Sequence, residues 1–225
     1  MPVSYFATRS QWQLFAAIGL ACVGLGSIVI ANTMLDRGVG HYLTRKTAHI
    51  AGGVVFLVAP FIFDGPAYPL TFAAGFAIIM AWGHFITPHL IRGVGGEGRR
   101  HTSAEVWYPI ACGVAIAIGW GMLHNPWLGV LPTLFLGFGD AITGAVRTLV
   151  YGREVKGAAG SAAMLAVCCV LALLVHPYWI GLAGAVTATY FERVTIATAR
   201  WDDNPALTMG SAAVMAILYL GFAAG

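Results

Sequence analysis

The residues of this chain that could do chemistry fall into a few short clusters. Arg45-Lys46-Thr47-Ala48-His49 sets Arg45 and His49 four residues apart and Lys46 and His49 three apart, the spacing of one helical face. Two fixed cations and a titratable imidazole would converge there. An Arg-Lys pair alone is an ordinary snorkelling anchor at a membrane edge, but His49, a turn deeper, is not explained by anchoring.

A second cluster, Gly137-Phe138-Gly139-Asp140-Ala141-Ile142-Thr143-Gly144 followed by Arg147, embeds a carboxylate among glycines in an apolar helix. A carboxylate at membrane depth is expensive and marks a functional site by default; pairing with Arg147, seven residues on and on the same face, is the structural alternative. A third, Tyr151-Gly152-Arg153-Glu154-Val155-Lys156-Gly157-Ala158-Ala159-Gly160-Ser161, runs into a new helix start. Free backbone N–H groups at such a start suit phosphate. The order of residues is not that of a Walker A loop. The last, Glu192-Arg193 and then Arg200-Trp201-Asp202-Asp203-Asn204-Pro205, offers adjacent carboxylates and an amide, oxygen ligands suited to Mg²⁺ bridging phosphates. Asn204 before Pro205 is also a good helix cap, which accounts for the amide but not for two aspartates.

Other polar residues read as structural. Glu105 opens a helix in Ser103-Ala104-Glu105-Val106-Trp107-Tyr108, where an acidic first turn is ordinary. His84, His89 and His101 lack zinc-ligand spacing and are left as possible phosphate or interface contacts. Cys22, Cys112, Cys168 and Cys169 all lie in apolar stretches and read as small packing residues.

The elements that must position these clusters are membrane helices. The 225 residues are 59% hydrophobic and 9% charged, with a mean hydropathy of +0.79, against roughly 25% charged for a soluble domain. Apolar runs give eight expected transmembrane helices near 12–31, 47–63, 67–87, 105–123, 127–146, 160–175, 178–192 and 206–224, one all-α bundle over 1–225. The run after Arg9 is long for a signal-peptide core and reads as the first helix. Eleven of the twelve Lys and Arg residues fall in odd-numbered connections, with Arg9 opposite, so the positive-inside rule makes those connections cytoplasmic and turns both termini outward. All the acidic residues but Asp64 share that face. The basic residues are scattered over short loops, which argues against nucleic acid. Cations, carboxylates and a phosphate-suited turn at one membrane surface are the parts of phosphoryl or nucleotidyl transfer from a soluble nucleotide to a lipid alcohol.

These residues resemble the polyprenol kinase family, which includes dolichol kinase and phytol kinase and is related to the membrane CDP-diacylglycerol synthases. Arg45-Lys46-x-x-His49 resembles its R-K-x-x-H element, Gly139-Asp140-Ala141 with Gly144 its G-D-x-x-x-x-G element, here with three residues rather than four before the second glycine, Lys156 with Gly160-Ser161 its K-x-x-x-G-S turn, and Asp202-Asp203-Asn204 its late D-D-N. The order matches from residue 45 to 204, most of the chain; Val146-Arg147-Thr148 departs from a Gly-Arg pair common in the family. The resemblance implies CTP as phosphoryl donor, a divalent cation such as Mg²⁺, and an isoprenoid alcohol (dolichol, phytol or geranylgeraniol type) converted to its monophosphate.

On that footing Asp140, Asp202, Asp203 and Asn204 are expected around Mg²⁺. Lys156, Gly160, Ser161, Arg147 and Arg153 are expected on the nucleotide, and Arg45 and Lys46 on transition-state charge. His49 or Asp140 would take the hydroxyl proton. Cytidylyl transfer to a phospholipid acid needs the same parts. A transporter would need polar groups near mid-membrane and repeated halves, which the sequence does not show, and a noncatalytic scaffold would use the clusters as anchors alone.

Overall fold

A computed structural model of the chain describes residues 3–95, 103–152, 155–195 and 203–223, without the side chains of 3–7 and 203. Among the described residues there is no strand. The backbone forms eight long helical runs: α1 (Val3–Asp36), α2 (His41–Ile62), α3 (Ala67–Phe85), α4 (Ala104–Met122), α5 (Pro126–Tyr151), α6 (Ala158–Ala172), α7 (Tyr178–Val194) and α8 (Asp203–Ala223). Each overlaps one of the expected runs, in the same order. The largest differences are at α1, which begins well before residue 12, at α2, which begins at His41 rather than 47, and at α5, which continues to Tyr151 with its polar face turned inward. Six of the runs are long and apolar enough to cross a membrane. The 15 residues of α6 rise about 22 Å, short of a hydrocarbon core of about 30 Å.

The centre of the bundle is α5. Asn125 caps its start, its side chain accepting from the Trp127 and Leu128 amides at 3.1 and 3.3 Å, and Pro126 occupies the first turn, where no N–H is needed. Val130, Leu131, Leu134, Phe135 and Leu136 are wholly buried. Outward-facing positions carry large apolar side chains such as Phe61, Ile78, Val170, Val186 and Ile217. An apolar core inside an apolar exterior is the arrangement for lipid surroundings, where backbone polar groups must be satisfied within each helix.

Charged residues gather at the ends of the bundle. Arg9 forms an ion pair with Asp64, and Gln13 adds a 2.7 Å hydrogen bond, so the two charges that the sequence sets apart from the rest do meet. Those partners hold the Asp64 carboxyl below its usual range. At the other end Arg92 pairs with Asp36 at 2.7 Å, and Thr44 donates to the Gly93 carbonyl at 2.6 Å, tying the connection after α3 to the end of α1 and the start of α2.

Helix α5 changes pitch just before Asp140, with π-helical turns over Phe135–Gly139. Such turns widen a helix locally and recur at functional sites. The widened stretch lies against α2: a Cβ on Gly137 would come 2.8 Å from the Gly53 Cα and 3.0 Å from the His49 carbonyl oxygen. Glycine is required here because the obstacle is backbone, which cannot rotate away. Gly137→Ala is therefore expected to lower stability by about 1–3 kcal/mol, read as an earlier thermal transition in detergent; an unchanged transition would mean that this crossing is looser than described.

Candidate active site

The crossing of α2 and α5 brings two of the sequence clusters together. Lys46 and His49, one turn apart on α2, both face Asp140, the first residue after the π-helical turns. Lys46 Nζ donates to Asp140 Oδ2 at 2.5 Å, and His49 Nδ1 lies 3.0 Å from the same oxygen, close but outside hydrogen-bond alignment. The Lys46 and Asp140 side chains are 13% and 9% exposed. Placing this carboxylate in an apolar bundle without such partners would cost several kcal/mol.

Aromatic side chains fix the two α2 residues. Lys46 Nζ stands 5.2 Å from the centre of the Tyr42 ring, within cation–π range. The His49 ring packs 4.6 Å from that of Tyr108, whose hydroxyl donates to the His49 carbonyl at 3.1 Å. Gly144 makes room for this packing: a Cβ there would come 2.8 Å from Lys46 Cε and 3.1 Å from the Tyr42 ring. Tyr42 and Tyr108 were not legible as site residues, because only the fold shows which aromatic neighbours face the cluster.

Two turns along α5 a second cluster forms. Arg147 does not pair with Asp140. It makes a two-pronged salt bridge to Glu192 of α7, with Nη1–Oε1 at 2.7 Å and Nη2–Oε2 at 2.9 Å, and both side chains are almost wholly buried. A shared helical face put Arg147 in line with Asp140, but seven residues separate the two by about 10 Å along the axis. Glu192 is the partner that sequence reasoning missed; an acid at the end of an apolar run was its one signal.

The turn before α6 packs on this pair. Lys156 Nζ donates to the carbonyls of Glu192 and Thr195, the latter at 2.6 Å, and so closes the C-terminal end of α7. Gly160 lies against the Arg147 stem, and Thr143 Oγ1 donates to the Gly139 carbonyl at 2.8 Å. The Ser161 amide bonds the Gly157 carbonyl at 3.3 Å within the helix, and its hydroxyl accepts from Arg193 at 3.4 Å. The Ser161 N–H is thus already used, unlike the free helix-start amides that the sequence offered for phosphate.

Arg45 turns to the other side of α2, onto the wall of a cavity described below. Asn204 is buried at the start of α8 and donates to the Ala104 carbonyl at 3.3 Å. Arg153 and Asp202 lie outside the described residues, as do the side chain of Asp203 and all of His101. His89 is exposed, and His84 Nδ1 lies 2.7 Å from Glu105 Oε1. Among the described residues no group of three or more His, Cys, Asp or Glu side chains could hold a metal ion. Asp140 in particular already has Lys46 and His49 on one oxygen.

The class these observations define is an all-helical, membrane-type bundle with a buried lysine–histidine–aspartate cluster beside a buried arginine–glutamate bridge. No family model matches the chain, and no solved structure does. Over 220 residues it is 28% identical to the phytol kinase of Synechocystis sp. (strain ATCC 27184 / PCC 6803 / Kazusa), an alignment covering 89% of this chain and 91% of that protein. This distant likeness over most of the chain supports a prenol-kinase-like family.

The buried Arg147–Glu192 bridge yields a prediction. Glu192→Ala leaves the guanidinium buried without its carboxylate and is expected to cost about 3–5 kcal/mol. Asp64→Ala removes an exposed pair and should leave the thermal transition within error of wild type. Equal shifts for the two variants would show that the bridge is solvated.

Proposed function

We propose that the protein is a membrane kinase that transfers a phosphoryl group from a nucleoside triphosphate, CTP, to the hydroxyl of an isoprenoid alcohol of the phytol, geranylgeraniol or dolichol type. The observation that carries the reading is the buried convergence of Lys46 and His49 on Asp140. Lipid kinase chemistry needs such a group of charges where water-soluble and apolar substrates meet. The likeness to a phytol kinase supports the choice of an isoprenoid alcohol.

In this reading the eight helices span the bilayer, the basic connections face the cytoplasm, and nucleotide arrives from that side. The hydroxyl oxygen bonds to the γ-phosphorus, the bond from that phosphorus to the β–γ bridging oxygen breaks, and the nucleoside diphosphate leaves. His49 takes the hydroxyl proton. Its Nδ1 faces Asp140, which favours the tautomer with Nδ1–H and leaves Nε2 as the basic nitrogen, the logic of a carboxylate-oriented histidine. Lys46 and Arg45 offset charge on the transferring phosphoryl group. Lys156 exchanges its carbonyl contacts for phosphate oxygens, joined by Arg153, by the backbone at Gly160 and by the Ser161 hydroxyl, while Arg147 holds the floor of that surface through Glu192. Mg²⁺ enters with the triphosphate, and Asp202, Asp203 and Asn204 beside Asp140 are the oxygen groups proposed to meet it; the described residues alone do not form its site.

The test is purified protein in lipid nanodiscs with CTP or ATP, labelled at either the α or the γ phosphorus, and a panel of prenols plus phosphatidic acid. The expected product is a prenyl monophosphate carrying the γ label, with CDP released. Asp140→Asn and His49→Gln should each lower turnover by about a hundredfold or more in protein with a wild-type melting profile. Transfer of the α label with release of pyrophosphate would make the protein a cytidylyltransferase, and absence of any labelled lipid would overturn the kinase reading.

A further inference from the structure

On the face of α2 turned away from Lys46 lies a cavity walled by α1, α2, α3 and α4, with about 730 Å³ of empty space including its mouth. Its walls are sharply divided. Ile28, Phe56, Phe72, Phe76 and Met80 make most of the lining apolar, whereas Arg45, His49, Glu105 and Tyr108 bring polar groups to it. By helical register the polar residues sit near the starts of α2 and α4. From Arg45 to Phe56 the lining descends about 16 Å along α2.

The polar part is not self-satisfied. Glu105 is 8% exposed, and its Oε1 is met by His84, but Oε2 is buried with no hydrogen-bond partner among the described residues. An ionised carboxylate oxygen left so is costly unless something else donates to it. Arg45 lines the same cavity with the opposite charge, yet the two form no ion pair within 4 Å. A slot that is apolar along its length, with Arg45 and the half-satisfied Glu105 carboxylate among the residues at one end, fits an amphiphile with one small hydrogen-bonding head. His49 stands on this wall while its Nδ1 faces Asp140 on the other side of α2, so a head group in the slot lies beside the proposed proton acceptor.

We infer that the cavity among α1–α4 is the binding site of the isoprenoid alcohol, with its hydroxyl donating to Glu105 Oε2 and the first isoprene units lying along Phe56, Phe76 and Met80. Glu105 holds the alcohol on binding, and His49 takes its proton on transfer. This rests on the kinase reading for the identity of the alcohol, but the cavity's occupancy can be read without turnover.

The test uses the full chain in nanodiscs with a diazirine-bearing geranylgeraniol, irradiated with and without excess unlabelled phytol, and peptide mapping of the adducts. Labels are expected on α2, α3 and α4 residues lining the cavity, competed by phytol and depleted in Ala48→Phe, which fills the slot. In steady-state kinetics Glu105→Ala should raise the KM for the prenol roughly tenfold to a hundredfold, the factor of a hydrogen bond to a charged group, with the KM for CTP unchanged and partial rescue by Glu105→Gln. If Glu105→Ala fails to fold, the adduct map and Ala48→Phe decide. Competed cavity adducts without phosphorylation by any nucleotide would sink the kinase reading and leave the cavity standing. Phosphorylation at wild-type KM in Ala48→Phe, or adducts confined to the outer faces of α1 and α8, would overturn the cavity and leave the kinase.

Discussion

A carboxylate on the central helix of an apolar bundle must be met by cations, and here that requirement depends on how closely two backbones can approach. Asp140 lies on α5, most of which is buried, and its partners come from α2. They reach it because Gly53 and Gly137 let α2 and α5 touch without intervening side chains, while the π-helical turns over Phe135–Gly139 swing the next residue toward α2. With a larger residue at Gly137 the helices would separate, and Lys46 and His49 would lose the carboxylate together.

The same crossing gives α2 two working faces. One presents Lys46 to Asp140 and, further along α5, approaches the Arg147–Glu192 bridge on which the α6 turn rests. The other presents Arg45 to the apolar slot, with His49 reaching both. A helix so placed separates a charged side from an apolar side, the division that the proposed transfer from nucleotide to lipid would use. Among the described residues His49 bridges the two sides.

Much of this was legible in the sequence because the signals are local. Apolar runs fixed the order of the helices, three-residue spacing put Lys46 and His49 on one face, and glycines around an acid marked Asp140. What stayed hidden depends on contacts between helices. Spacing on α5 offered Arg147 as the partner of Asp140, whereas the guanidinium bonds Glu192 from α7, a residue 45 positions away. Lys156 reads as a phosphate-binding cation in a Gly-Ser turn, yet its first partners are carbonyls at the end of α7. Glu105 reads as an ordinary first-turn acid; that one of its oxygens is buried and unmatched beside an apolar slot follows only from the packing of α1 to α4.

The central claim is that Lys46 and Asp140 act as one unit at the point of phosphoryl transfer. A double-mutant cycle with Lys46→Met, Asp140→Asn and the pair, read as prenol phosphorylation per folded molecule, tests it most directly. Residues that work as a unit lose function together, so the double variant should be no worse than the more damaged single variant, within about threefold. Losses that multiply across the two sites, or single variants that retain wild-type turnover, would contradict the account.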